Sequence, residues 1–359
     1  MFINLKVYKL IDYYRGKDET ILFIKENIIE EYMKSNDISK FPFILKVSNS
    51  KLKSRGSEIL LGHTLPIVGL AKMRNGLILS GSCGKLKIWK KNENIYDDDY
   101  NKFININTVP FKIDLIGNFI ELNDDHIVFS KGHQIIEATF NGKGLYTEIL
   151  AYQDLISSIE SLASINQNKN FAAGTYRGIY IFERMNPSII RILKNDEQFI
   201  MSMINIPKLN VFCSSDSDSK VKIYKSTNFN LFQEHKMNET HIVCLCNYNA
   251  KELCASTMHG KIWYFKWDKS NKIFNKVGPI NAHKREIYGI NQIRNGQVVS
   301  VSRDGSIKFW EILRKICVLK IDLEKEEGSY DIIIQLSDGR LCFGSDNNKI
   351  KIFNDLSVL

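Results

Sequence analysis

Val298-Val-Ser-Val-Ser-Arg-Asp-Gly-Ser-Ile-Lys-Phe-Trp310, preceded by Ala282-His283, is the stretch that decides the fold. Val298, Val299 and Val301 are β-branched and alternate imperfectly with Ser300 and Ser302, the pattern of a strand buried on both faces. Asp304-Gly305 predicts a two-residue hairpin turn, because such a turn needs positive φ and Gly adopts it without steric cost. Ser306, Lys308 and Trp310 then alternate with Ile307 and Phe309 as a second strand. A His ahead of the first strand can hydrogen-bond a strand Ser. That Ser can also accept from an indole N–H, and the turn Asp can orient the imidazole. The expectation is a buried chain of His283, Ser300 or Ser302, Asp304 and Trp310.

Weaker copies of the unit recur. The aromatic that ends the third strand of each copy falls at Trp89, Phe182, Tyr224, Phe265, Trp310 and Phe353, with steps of 93, 42, 41, 45 and 43 residues. The double first step requires a hidden copy, which Phe119 to Phe140 supplies through His126-Ile-Val-Phe129, the Lys131-Gly132 turn and Gln134-Ile-Ile136. The unit resembles a WD40 repeat, with Ala-His for the usual Gly-His and Phe309-Trp310-Glu311 for the Trp-Asp ending. That family builds β-propellers from four-stranded blades at a period of roughly 40–45 residues. The resemblance implies an all-β chain: a single seven-bladed WD40-like β-propeller over residues 58–359, closed by an N-terminal strand, with a short helical extension at 1–57.

Residues 58–62 are expected to be that closing strand. After Ile350–Phe353 too little chain remains for a fourth strand, and an open ring would leave two unpaired sheet edges. Ile59 and Leu61 are expected to be its buried residues. In the extension, Asp18 to Lys34 predicts an amphipathic helix: Ile21, Ile24, Ile28, Ile29, Tyr32 and Met33 fall near one face, and Asp18-Glu19 suits the N-terminal end of the helix dipole. Leu5 to Tyr14 predicts a shorter helix. Leu10-Ile-Asp-Tyr-Tyr14, Gly16 and Thr20-x-x-Phe23 resemble the LisH dimerisation motif, at spacings that depart from it.

Composition narrows the function classes. Hydrophobic content of 44% and charged content of 25% are ordinary for a globular chain. The seven Cys are scattered, without a Cys-x-x-Cys, and Cys244-x-Cys246 has no matching pair. Free thiols in a reducing, intracellular compartment are therefore expected, cytoplasmic with the nucleus also open, and no structural zinc. No apolar run reaches membrane-spanning length. Asp97-Asp-Asp99 is read as an acidic loop without metal-ligand spacing. No phosphate-cradling Gly-rich loop, zinc-protease His pair or nucleophile elbow occurs, so neither catalysis nor a cofactor is expected.

The first functional expectation is a non-catalytic scaffold or adaptor that presents the top face of the propeller to partner proteins. In WD40 proteins the residue before the turn Asp, and residues early in the first strand, face that surface. The resemblance carries this to Arg303, Met258, Glu286 and Tyr288, and to Tyr176 and Arg177. The net charge of +9, with Lys85, Lys87, Lys220, Lys222, Lys308, Lys349 and Lys351 in third strands, motivates a second reading as a nucleic-acid-associated propeller. Lysines at outward-facing strand positions explain the same charge without a ligand. A third reading, a ubiquitin-ligase substrate receptor, is weakened because Trp310-Glu-Ile-Leu-Arg314 places its Arg one position late for the Trp-Asp-x-Arg adaptor motif.

Overall fold

The computed structural model describes residues 45–47, 57–94, 102–122, 126–141, 143–152, 155, 157–194, 198–239, 241–323 and 329–353. The helices expected at 5–14 and 18–34, the LisH-like segment and the acidic 97–99 loop lie outside these residues.

The described chain forms four-stranded antiparallel sheets arranged as a ring. Blade three is Ile159–Ile165, Asn170–Thr175, Gly178–Glu183 and Ile189–Lys194. Blade four is Ile200–Ile206, Val211–Asp216, Lys220–Lys225 and Leu231–Lys236. Blade five is Ile242–Tyr248, Glu252–Thr257, Lys261–Asp268 and Ile273–Asn281. Blade six is Ile287–Gln292, Val298–Ser302, Ser306–Glu311 and Ile316–Asp322.

Blades one and two run together because two long strands each serve twice. Ile78–Lys91 pairs with Gly69–Lys72 at one end and Phe103–Glu121 at the other. It cannot be straight: Trp89 Nε1–H donates to Ser80 Oγ at 2.8 Å, whereas nine extended residues would separate them by about 30 Å. The reversal falls at Cys83-Gly84, where Gly84 has φ +71°. Phe103–Glu121 supplies the outer strand of blade one through residues 103–110 and the inner strand of blade two through 116–121, which pairs with His126–Lys131. Gln134–Phe140 and Tyr146–Ala151 complete blade two.

Blade seven takes Tyr330–Gln335, Leu341–Ser345 and Ile350–Phe353 from the end of the chain and Ser57–Leu60 from its beginning. The seam is antiparallel, Ser57 opposite Phe353 and Leu60 opposite Ile350. The closing strand is thus Ser57–Leu60, shifted from the expected 58–62. Its buried residue is Leu60; Ile59 and Leu61 are 46% and 65% exposed, against expectation. The reason is parity: Leu60 turns inward at this register, so its sequence neighbours turn out. Leu45–Val47 adds a fifth, parallel strand to the outer edge of blade six, Leu45 opposite Leu319 and Val47 opposite Ile321.

The core lies between blades. Seven apolar clusters among the described residues each straddle one pair of neighbours, including blades seven and one. This explains the imperfect alternation at 298–302. Val299 and Val301 pack toward blade seven, while Val298 and Trp310 pack toward blade five. Both faces are buried, so both need apolar residues.

Candidate functional site

Blade six builds its surface from a buried polar chain. Trp310 Nε1–H donates to Ser300 Oγ at 2.8 Å, and Ser300 Oγ lies 2.7 Å from His283 Nε2. His283 Nδ1 lies 3.1 Å from both oxygens of Asp304. A carboxylate only accepts, so Nδ1 carries the proton and Nε2 accepts from the Ser300 hydroxyl. Burial would raise the Asp304 pKa, but the hydrogen bonds from His283, the Ser306 hydroxyl and Lys284 N–H hold the carboxyl well below the usual carboxylate range. Burial lowers the His283 pKa, with Asp304 opposing it.

The structure brings His283, Ser300, Asp304 and Trp310 together and gives Ser302 another task. Ser302 Oγ accepts from Asp304 N–H at 3.1 Å and donates to the Arg285 carbonyl at 3.2 Å. Ser306, which sequence reasoning passed over, donates its hydroxyl to Asp304 Oδ1 at 2.6 Å. The turn itself differs from expectation. Ser302 pairs with Ser306, leaving Arg303, Asp304 and Gly305 as a three-residue loop, with Gly305 N–H on the Ser302 carbonyl and φ +77° at Gly305. A type I turn followed by a left-handed Gly gives this loop, and it frees the Asp side chain to reach His283.

The Asp304 carboxylate also accepts from Lys284 N–H at 3.0 Å, so one side chain anchors the turn and the loop entering the blade. The Arg303 N–H then bonds the Glu286 carbonyl at 3.1 Å. The same bridge recurs from Ser217 to Phe199, Met258 to His241 and Asp346 to Ser329. Repetition of this bridge sets Met258, Arg303 and Asp346 on one face, beside the loops that enter their blades.

On that face the Arg303 guanidinium stands 4.6 Å over the Tyr288 ring. Arg303 is exposed and Tyr288 half-buried. Glu286 pairs with Arg285 at 3.2 Å. Met258 is half-buried at the blade-five turn. Tyr176 packs on the exposed Phe199 at 4.9 Å between ring centres, and Arg177 is exposed beside it. Tyr176 and Arg177 belong to blade three, while Arg303, Tyr288 and Glu286 belong to blade six and Met258 to blade five.

Sequence reasoning missed the acidic flank of the Arg303–Tyr288 pair. Asp331 occupies in blade seven the strand position that Tyr288 occupies in blade six. Its pKa is pushed up to about 6 by burial and then by Asp346, with Arg303 opposing. Asp346 accepts from Ser329 N–H at 2.9 Å and from its hydroxyl at 2.8 Å. The available signal was an Asp early in a first strand, where an apolar residue would serve packing better. In blade four the acid that ties the turn is Asp216, accepting from Asp218 N–H and Lys220 N–H.

Blade one repeats part of the chain. His63 Nε2 lies 2.7 Å from Ser80 Oγ, which also accepts from Trp89. Burial, Lys87 and Lys85 together lower the His63 pKa to about 4. Among the described residues no group of His, Cys, Asp and Glu is placed to hold a metal, and no helix is long and apolar enough to cross a membrane. All seven Cys are free.

Comparison with known proteins agrees with this geometry. Residues 274–311, essentially the fourth strand of blade five and the first three strands of blade six, match the family model for the WD domain, G-beta repeat. Among solved structures the chain is similar to the WD40 β-propeller domain of Doa1, at 16% identity and a TM-score of 0.69, over 84% of this chain and 99% of that one. No curated protein matches in sequence.

Proposed function

Because this chain carries a WD40 repeat and folds as a WD40-type β-propeller, we propose that it is a non-catalytic scaffold whose top face docks partner proteins in a multiprotein complex. The observation that carries the reading is the Arg303–Tyr288 pair. A guanidinium parked on an aromatic ring is largely ordered before any partner arrives, so little side-chain entropy is lost on binding. Arg and Tyr are also the residue types that dominate binding energy at interface centres. The Asp304 carboxylate fixes the backbone beneath the pair, and Asp331 and Asp346 give the patch a negative border.

The test is affinity purification of the tagged protein from its own cells, with and without nuclease, read by mass spectrometry. Partners that survive nuclease and fall at least tenfold in the Arg303→Ala, Tyr288→Ala double variant support the docking face. Partners lost to nuclease and indifferent to the double variant would overturn it and move the argument to a basic, nucleic-acid-binding surface.

A further inference from the structure

We propose that the top of blade one is a receptor for an acidic side chain of a partner polypeptide, whose carboxylate completes the His63–Ser80–Trp89 chain as Asp304 completes that of blade six. The inference rests on the top face being the docking surface and adds the partner's chemistry at a second place on it.

The two blades are superposable in their logic up to one residue. In both, the His Nε2 and the Trp N–H meet on a strand Ser, at 2.7 and 2.8 Å. In blade six the far imidazole nitrogen holds a carboxylate. In blade one the turn is Cys83-Gly84, one residue shorter and without an Asp. His63 is 6% exposed, and its Nδ1 is buried with no hydrogen-bond partner. Ser80 Oγ already accepts from Trp89, so its hydroxyl donates to Nε2 and the ring proton sits on Nδ1, a buried N–H that lacks an acceptor.

The surroundings specify an anion. Lys85 stands four residues before Trp89, as Ser306 stands four before Trp310, and Ser306 is the side chain 3.2 Å from His283 Nδ1. Blade one thus replaces a hydroxyl beside the imidazole by an ammonium. Lys87 adds a second, bonded to the neutral Thr108 Oγ1 at 3.0 Å. Among the described residues no carboxylate forms an ion pair with either lysine. The rim is apolar: Leu65, Val68 and Leu115 are exposed. All three are tied to this turn, Leu65 through Ser82 Oγ, Val68 through the Gly81 carbonyl and Leu115 by pairing with Cys83. A Glu or Asp flanked by apolar residues fits that combination.

The test uses the purified full chain and the peptide acetyl-Leu-Glu-Glu-Leu-amide, with acetyl-Leu-Gln-Gln-Leu-amide as control. Binding is followed on the His63 ring nitrogens by long-range 1H–15N correlation. The Glu peptide is expected to shift the His63 Nδ1 resonance saturably and the Gln peptide to leave it unmoved. Lys85→Ser, which restores the blade-six residue, should weaken binding at least tenfold. Cys83→Asp, which supplies a carboxylate within the chain, should abolish it and shift His63 Nδ1 by itself. An unmoved His63 signal, or a response to the Glu peptide undiminished in both variants, overturns the proposal. The reading of Arg303 and Tyr288 is untouched by that failure, since neither residue enters this measurement.

Discussion

Removing the first 62 residues should cost most of the stability of the ring, and the structure supplies the magnitude. Ser57–Leu60 pairs along its length with Ile350–Phe353, which amounts to about four backbone hydrogen bonds at ~1 kcal/mol each. Leu60 is fully enclosed between blades seven and one, and loses ~2 kcal/mol of burial. The Glu58 carboxylate accepts from Phe103 N–H and pairs with Arg340 at 3.4 Å. Its loss leaves a buried amide and a mostly buried guanidinium less well paired, at ~1–3 kcal/mol. The total, about 7–9 kcal/mol, compares with the 5–15 kcal/mol by which whole domains are stable. At a urea dependence of about 3 kcal/mol per molar, the midpoint should fall by roughly 2–3 M. The exposed edge Ile350–Phe353 should also drive self-association. The assay is urea unfolding by circular dichroism with light scattering, on chains beginning at residue 63 and at residue 51. The latter loses only the three-residue Leu45–Val47 strand of the described fold and should keep its midpoint within about 0.5 M. A monomeric, cooperative chain beginning at residue 63 with a midpoint that close to the parent would refute the closure argument.

Two further predictions concern single side chains. Trp310→Ala should cost about 3–5 kcal/mol in urea unfolding, while Trp310→Phe, which keeps most of the packing and loses the hydrogen bond to Ser300, should cost about 1–2; a Phe variant as stable as the parent would mean the indole N–H contributes nothing. Asp331 has its pKa raised to about 6 from 3.8, so the stability it contributes is complete below pH 3.8 and lost as pH rises through 6. Asp331→Asn should therefore stabilise the protein by about 1–2 kcal/mol at pH 7 and by little at pH 4. A variant less stable than the parent at pH 7 would show that the carboxylate earns its place through Arg303.

Much of the ring was legible because propeller blades repeat, and repetition leaves evenly spaced aromatics even where individual blades have drifted. The blade-six chain was legible for the same reason: His283, Ser300, Asp304 and Trp310 each sit where local backbone geometry aims them at one point. What was not legible depended on register or on distant partners. Strand register decides that Ser300 and not Ser302 meets the Trp, and strand parity decides that Leu60 is buried and Ile59 is not. The fully buried Glu137 accepts from Tyr152 at 2.6 Å and from Arg184 at 3.0 Å. Arg184 is 47 residues away, and no local pattern announces such a meeting. The top-face candidates were assigned by analogy of position. That analogy names residues at the turns and first strands, but it does not reveal that Tyr176 packs on Phe199 or that Asp331 lies close enough to Arg303 to feel its charge.

The seam also determines how the molecule responds to force. Ser57 lies opposite Phe353, so the incoming and outgoing chain leave the pairing at the same end. Tension applied between Ser57 and Phe353 therefore loads the seam one residue pair at a time, as a zipper is opened, instead of shearing all its hydrogen bonds at once. The strand that completes the ring is also its mechanical weak point. A pull applied at the seam itself would release blade seven's outer edge, whereas a pull from beyond Leu45–Val47 must first load the outer edge of blade six.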